Sequence, residues 1–263
     1  MKITSLQNPK IKEAVKLRER RHRDESDLFL IEGFRELKRA VDANWKLEAL
    51  FYSPEWFLGN QEMPLMMRID APHHECTKEV FQKLSYRDRP DGLLAIGQQR
   101  HRKLQESTFS TKAFLLIAES IEKPGNLGTI LRSCDAAGVE GVILCDPTTD
   151  LYNPNVVRSS VGTLFSLPIF EASTTEAFPF LKEKGIQIVA ATPKGDTIYT
   201  QEDFQGPIAI AMGTEQYGLS QFWMEHADKQ VHIPMLGVSD SLNVSSATTL
   251  LLYEVVRQRT LSR

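Results

Sequence analysis

From Ala113 onward the chain carries nearly continuous apolar runs: Ala113 to Ala118, Val142 to Cys145, Ile186 to Ala191, Ile208 to Met212, and the shorter Val231 to Pro234. A run with no polar alternate is buried on both faces, which is the situation of a strand inside a parallel sheet flanked by helices. Helices are predicted between the runs, notably Leu127 to Ala137, closed by Gly138 as a left-handed cap, and Ser245 to Arg259. The first hundred residues alternate on a smaller scale. A helix is expected over 8–22, a strand at Leu28 to Glu32, a helix at Phe34 to Asp42 and a strand at Leu47 to Tyr52. Leu65 to Ile69, a helix from Lys78 to Leu84, and Gly92 to Gly97 complete the unit. Gln98 to Thr111 turns polar and charged without apolar periodicity and reads as a connection. The predicted organisation is α/β throughout: a small domain at 1–103, a linker at 104–111, and a parallel-sheet domain at 112–263, with no internal repeat.

Composition narrows the class without naming a function. With 263 residues, 41% apolar and 25% charged, the chain can bury a core, and disordered or fibrous classes drop out. Its apolar runs fall far short of the roughly 20 residues needed to cross a bilayer. Met1-Lys2-Ile3-Thr4 lacks a secretory core, so the expected location is cytoplasmic, with no membrane partner. Cys76, Cys134 and Cys145 are widely spaced with no C-x-x-C and are expected to be buried free thiols. His73-His74-x-Cys76 lacks a second ligand pair, and no metal is expected.

Charge is distributed unevenly. Residues 1–110 hold 20 Lys and Arg against 17 Asp and Glu, whereas residues 111–263 hold 11 against 17. Lys10, Lys12, Lys16, Arg18, Arg20, Arg21 and Arg23 crowd one segment, able either to neutralise phosphates or simply to form a solvated helix face.

In open parallel sheets ligands collect beyond the carboxyl ends of the strands, so the loops after the apolar runs carry the candidate chemistry. In Pro124-Gly125-Asn126-Leu127-Gly128-Thr129-Ile130-Leu131-Arg132, Asn126 can cap the helix, and Gly128 and Arg132 share a face suited to a phosphate or ribose; an ordinary cap with a solvated arginine fits as well. Gly213-Thr214-Glu215-Gln216-Tyr217-Gly218-Leu219 brackets an acid with glycines directly after Met212. It reads either as a ligand loop or as a plain turn. Between Ile233-Pro234-Met235 and the last helix, Ser241, Asn243 and Ser245 exceed what one helix cap requires, which favours a site.

Taken together, Asn126-x-Gly128 with Arg132, Gly213-x-Glu215-x-x-Gly218-Leu219, and Ile233-Pro234-Met235 with Ser241-Leu242-Asn243-Val244-Ser245 resemble the three motifs of the SpoU (TrmH-like) class of SPOUT RNA methyltransferases in order and spacing. The resemblance spans 113–259. Phe29-Leu30-Ile31-Glu32-Gly33 is similar to the start of that family's N-terminal substrate-binding domain, which is akin to RNA-binding ribosomal proteins. The resemblance implies a parallel-sheet domain with a deep trefoil knot and a homodimer, in which Arg132 serves the partner's cofactor site. It also implies S-adenosyl-methionine bound at Gly213, Ile233 and Leu242, with Met212 and Met235 alongside. The catalytic and ribose-handling positions fall on Asn126, Arg132, Glu215, Ser241 and Asn243. The implied reaction is methylation of a ribose 2′-hydroxyl in RNA, with ribosomal RNA expected ahead of transfer RNA.

Lys123 and Pro90-Asp91-Gly92 depart from the family pattern and bear on substrate detail. Two other classes stand beside this reading. Gly125-x-x-Gly128 after a strand, with Asp146 about 20 residues on, is a fragment of a dinucleotide fingerprint and would suit an oxidoreductase. The basic N-terminal segment alone would suffice for a non-catalytic RNA-binding protein.

Overall fold

Eleven strands, numbered in chain order, build two sheets in a computed structural model that describes residues 2–261. Four belong to the first unit, Met1–Arg100 together with Asp150–Ser166. They are β1 (Leu28–Glu32), β2 (Leu47–Tyr52), β3 (His73–Glu75) and β4 (Leu93–Gln98), in the order β1-β4-β2-β3. β4 runs antiparallel to both β1 and β2, while β3 adds parallel to β2. Ile11, Ala14, Leu30, Phe51, Val80, Phe81 and Leu94 form one buried cluster of this unit.

The helix expected over 8–22 is two helices, Pro9–Lys16 and Arg20–Ser26. Tertiary bonds override local propensity at the break: Arg18 donates to the carbonyls of Lys83 and Ser85, both at 2.7 Å, and Arg23 donates to the carbonyl of Leu17 at 2.8 Å. Leu65 to Ile69 lies at the end of a short helix, Glu62–Met66, and β3 escaped notice because its His73-His74-Glu75 sequence is polar at a sheet edge.

Residues 150–166 fall inside the stretch read from sequence as the parallel-sheet domain, yet they pack with the first unit. Asp150 pairs with Arg23, which is 1% exposed. Tyr152 and Phe165 meet Phe29 and Trp45 at ring-centroid distances from 4.6 to 6.2 Å, and the Trp45 indole donates to the Phe165 carbonyl. Lone aromatics in a polar stretch carry no periodicity, so the sequence does not announce the placement.

The second unit comprises His101–Thr149 and Leu167–Arg263. Its strands are β5 (Phe114–Glu119), β6 (Gly141–Cys145), β7 (Ile169–Ala172), β8 (Gln187–Ala191), β9 (Thr197–Ile198), β10 (Ile208–Met212) and β11 (Lys229–His232). They lie in the order β7-β6-β5-β10-β8-β11-β9, and every pairing is parallel. β5, β6 and β10 are buried along their whole length, as their apolar sequences require, with Glu119 the one charged residue, at the end of β5. Part of the expected linker belongs to this core: Leu104 is 1% exposed in a short turn of 3₁₀ helix, and Phe109 meets Phe170 and Phe180 edge to face. Helix Pro124–Ala137 ends at Gly138, whose φ of 73° is the expected left-handed cap. It packs against the last helix, Val244–Leu261, where the Ser133 and Thr249 hydroxyls bond at 2.7 Å.

Candidate functional site

Four adjacent parallel strands, β5, β10, β8 and β11, send their following loops to one end of the second sheet. There they enclose a cavity of about 650 Å³, in the range of small-molecule sites, whose walls include Met212, Leu219, Val231, Ile233, Met235, Leu242 and Leu251. Polar groups from Thr192, Lys194, Glu215, Ser241 and Asn243 enter the same lining.

The loop after β10 is shaped by its glycines. Thr214 and Gly218 exchange two backbone hydrogen bonds, with N···O distances of 2.9 and 3.1 Å, and Gly218 takes a φ of 74°. A Cβ on Gly213 would stand 2.1 Å from the backbone of Gly218, so only a bare backbone fits. Just beyond the loop, the Ser220 N–H donates at 2.7 Å to the buried carboxylate of Glu119 at the end of β5.

Polar side chains join the loops across the sheet. Asn126 donates its amide N–H to Glu215 Oε1 at 2.5 Å, and its own Oδ1 accepts from Asn243 at 3.2 Å. Asn243 Oδ1 in turn accepts from the Ser245 N–H at 3.0 Å and from its hydroxyl at 2.6 Å, so this residue caps the last helix and ties it to the first loop. The other carboxylate oxygen of Glu215, Oε2, is buried without a hydrogen-bond partner. A buried acceptor left open this way is costly unless a ligand group fills it.

Of the residues singled out from sequence, Met212, Gly213, Glu215, Ile233, Met235, Ser241, Leu242 and Asn243 line the cavity. Asn126 reaches it through Glu215 and Asn243. The expected capping role of Asn126 gives way to this network: the helix begins at Pro124, placing Asn126 inside its first turn. Arg132 stands apart. It is exposed and is absent from the cavity lining, whereas Gly128 is buried, so the two do not form one open cradle. Sequence reasoning did not assign Lys123, or Thr192-Pro193-Lys194 after β8, to the site, though both segments line it. The only signal available for the latter was position, a Pro-Lys-Gly turn following a buried strand.

All three cysteines are buried and free. Burial pushes the Cys76 thiol up to about 12 and raises Cys134 and Cys145 as well, which leaves no ready thiolate. Among the described residues no cluster of three His, Cys, Asp or Glu side chains could hold a metal, and no helix is long and apolar enough to cross a membrane. Asp146 accepts from the backbone and hydroxyl of Thr174, at 3.2 and 2.6 Å, so its carboxylate is engaged at a helix start rather than offered to a ribose.

Comparison with known proteins agrees with the geometry. The SpoU rRNA Methylase family model matches residues 113–253, and the MRM3-like substrate binding domain matches 8–95. The chain is 30% identical over 247 residues to the 23S rRNA (uridine(2479)-2′-O)-methyltransferase of Streptomyces viridochromogenes, covering 91% of this chain and 86% of that one. A crystal structure of an RNA 2′-O ribose methyltransferase superposes with a TM-score of 0.89 at 44% identity, covering 99% of this chain and 100% of the other. The AdoMet-bound rRNA methyltransferase from Sinorhizobium meliloti gives a TM-score of 0.90 at 32% identity, covering 98% and 97%. With two family models matched in order along the chain and relatives alike over nearly its full length, the protein belongs to the SpoU rRNA methylase family.

Proposed function

We propose that this protein transfers a methyl group from S-adenosyl-methionine to a ribose 2′-hydroxyl of ribosomal RNA. The observation that carries the reading is the convergence of the loops after β10, β11 and β8 on one cavity with the Gly213 backbone bare in its wall. Those residues suit the cofactor. Backbone groups around Gly213 and Ile233 would hold it, the apolar walls from Met212, Leu219, Leu242 and Leu251 would cover it, and the open Oε2 of Glu215 would accept a donor. When bound, the cofactor supplies a methyl group on a positively charged sulfur.

The chain's own work is alignment and charge management. Glu215, Asn126 and Asn243 fix one another, so the acceptor ribose would meet groups whose orientation is set before it arrives. Ser241, on the same wall, is placed to bond the ribose. Arg132 is the stabiliser of the oxyanion that develops as the 2′-hydroxyl loses its proton; a guanidinium gives up its own proton too reluctantly to be a base. Its exposure and its absence from the cavity lining favour action in a site completed by a second copy. The homodimer is supported by Leu250 and Tyr253, both more than two-fifths exposed on the last helix. We read the C-terminal segment as threaded into a deep trefoil knot, an arrangement favoured by the insertion of β10 between the earlier β5 and β8. The first unit is read as the RNA-holding, ribosomal-protein-like domain, and the setting as the cytoplasm.

Incubation with methyl-labelled S-adenosyl-methionine and separated ribosomal and transfer RNA tests the reading. Label in ribosomal RNA, resistant to alkaline cleavage at one ribose, is the expected result. Label in transfer RNA alone reassigns the substrate, and no transfer to either overturns the activity.

A further inference from the structure

The first unit holds a second built surface, at the end of its sheet where β1 finishes and β4 begins. Glu32 and Leu94 pair across those strands, which brings the chain following Gly33 beside the segment 85–92. A buried polar latch fixes that segment. Glu32 accepts from the Ser85 hydroxyl and, at 2.7 Å, from the Tyr86 N–H. Arg87 donates to the Glu32 carbonyl at 2.6 Å and to Glu36 Oε1 at 2.7 Å, and Asp91 accepts from the Phe34 N–H at 2.7 Å. Gly33 has a φ of 110°, and a Cβ there would fall 2.4 Å from the Glu36 carboxylate and 2.5 Å from Arg87. Holding this turn costs the desolvation of Glu32, Glu36 and Ser85, all less than 10% exposed.

What the latch holds outward is a set of RNA-like chemistries. Arg35 and Arg89 are exposed, and their side chains make no ion pair or hydrogen bond among the described residues. Tyr86 is 40% exposed, and its hydroxyl accepts from Asn155 at 3.2 Å, which brings the helix Pro154–Ser159 alongside. On that helix Arg158, three residues after Asn155 and so on the same face, is exposed and equally unpaired. Asp88 is the exposed acid of the segment.

The basic run Lys10 to Arg23 behaves differently. Arg18 and Arg23 are spent on carbonyls and Asp150, with the Arg18 guanidinium also lying 5.9 Å from the centre of the Tyr86 ring, while Arg20 and Arg21 pair with Asp24 and Glu25 on their own helix. Lys12 and Lys16 are its exposed cations without a partner among the described residues.

We infer that single-stranded or looped RNA docks on the Arg35, Tyr86, Arg89 and Arg158 surface, its phosphates on the arginines and a base on the open part of the tyrosine ring, and not on the exposed lysines of the Lys10 to Arg23 run. Free guanidinium groups around an exposed aromatic are what an unpaired strand needs, since phosphates demand cations and any base offers a face to stack. The inference rests on the RNA-methyltransferase reading for its partner, but its test is separable from that activity.

The experiment uses the full chain and two probes, an unstructured mixed-sequence RNA oligonucleotide and deproteinised 23S rRNA, titrated at several salt concentrations. The combined Arg35→Ala, Arg89→Ala and Arg158→Ala variant should bind at least about tenfold more weakly, and its salt dependence should flatten by about two units, at about 0.7 per lost contact to a single strand. Tyr86→Ala should weaken binding about tenfold, and Tyr86→Phe, which keeps the ring, should restore it. Lys12→Ala with Lys16→Ala should bind as the parent does. Unchanged affinity and slope in the triple variant, or an equal loss in the lysine variant, overturns the inference. Calorimetry with S-adenosyl-methionine on each variant reports on the second unit: absent cofactor binding in the parent chain would defeat the activity reading while leaving this surface to be judged on its own titrations.

Discussion

The cavity of the second unit and the arginine surface of the first both present polar groups, but they are built on opposite plans. In the cavity the side chains hold one another: Glu215, Asn126, Asn243 and Ser245 form a chain of hydrogen bonds, and the glycines leave no slack. On the first unit the bonds are spent beneath the surface, on Glu32, Glu36 and Arg87, and the outward arginines are left unpaired. Chemistry on a small group needs fixed geometry, whereas grip on a long polyanion needs charge that can adjust. Damage to the first plan should therefore appear in turnover and cofactor affinity, and damage to the second in RNA affinity and salt dependence.

The sharpest way to break this contrast is Gly213→Ala. With the new methyl 2.1 to 2.2 Å from the Gly218 and Leu219 backbone, the loop must move. Calorimetry should find cofactor affinity reduced by about a hundredfold or more, with a stability loss of about 1–3 kcal/mol by thermal unfolding. Arg132→Ala comes next. Methyl transfer should fall by about 10²–10³ while cofactor affinity stays near the parent value, as for removal of a group that meets only developing charge. Because Arg132 is exposed, its melting temperature should hardly change; wild-type turnover would remove its role.

Asn126→Ala leaves both Glu215 oxygens without a partner. A destabilisation of about 1–3 kcal/mol is expected from the buried carboxylate, with slowed transfer and nearly unchanged RNA affinity. Matching losses in RNA affinity would blur the distinction between the two regions. The smallest effect concerns the latch. Burial is the main influence raising the Glu32 carboxyl above the ordinary 4.5, outweighing its bonds to Ser85 and Tyr86. A group whose folded value is raised gives its full stabilisation below the unfolded value and loses it as pH rises through the folded one. Denaturant titrations from about pH 4 upward should show that decline in the parent, and Glu32→Gln should make it shallower, leaving the part due to Glu36, whose carboxyl burial raises in the same way.

Sequence was most informative where structure depends on repetition. The strands β5, β6, β8 and β10 coincide with apolar runs because a strand covered on both faces has few polar positions to spare, and the polar residues of β5 and β8, Glu119 and Gln187, stand at strand ends. The segment after Ile233 stands out because Ser241, Asn243 and Ser245 exceed what one helix cap requires, whereas the Gly213 loop reads equally well as a plain turn until its spacing is set beside the other two motifs. What stayed hidden depends on partners distant in the chain. Edge strands β3 and β9 are too short and polar to register, β7 follows Pro168 with only Ile169 and Phe170 buried, and Lys194 looks like any turn lysine until β8 sets it beside β10. The basic run misled for the same reason. Counting its charges could not reveal that Arg18 and Arg23 are bound to carbonyls and an aspartate 65 and 127 residues away.

The loan of residues 150–166 to the first unit has a practical outcome for anyone dissecting this chain. A fragment ending at residue 100 would lose Tyr152 and Phe165 from the faces of Phe29 and Trp45, and Arg23 would be stripped of its carboxylate. Such a piece would bare oily rings and a stranded guanidinium to solvent, and it would clump or cling to nucleic acid for reasons foreign to the parent. Gene architectures that shuffle this N-terminal module must carry the seventeen-residue patch along, or invent another cover for it.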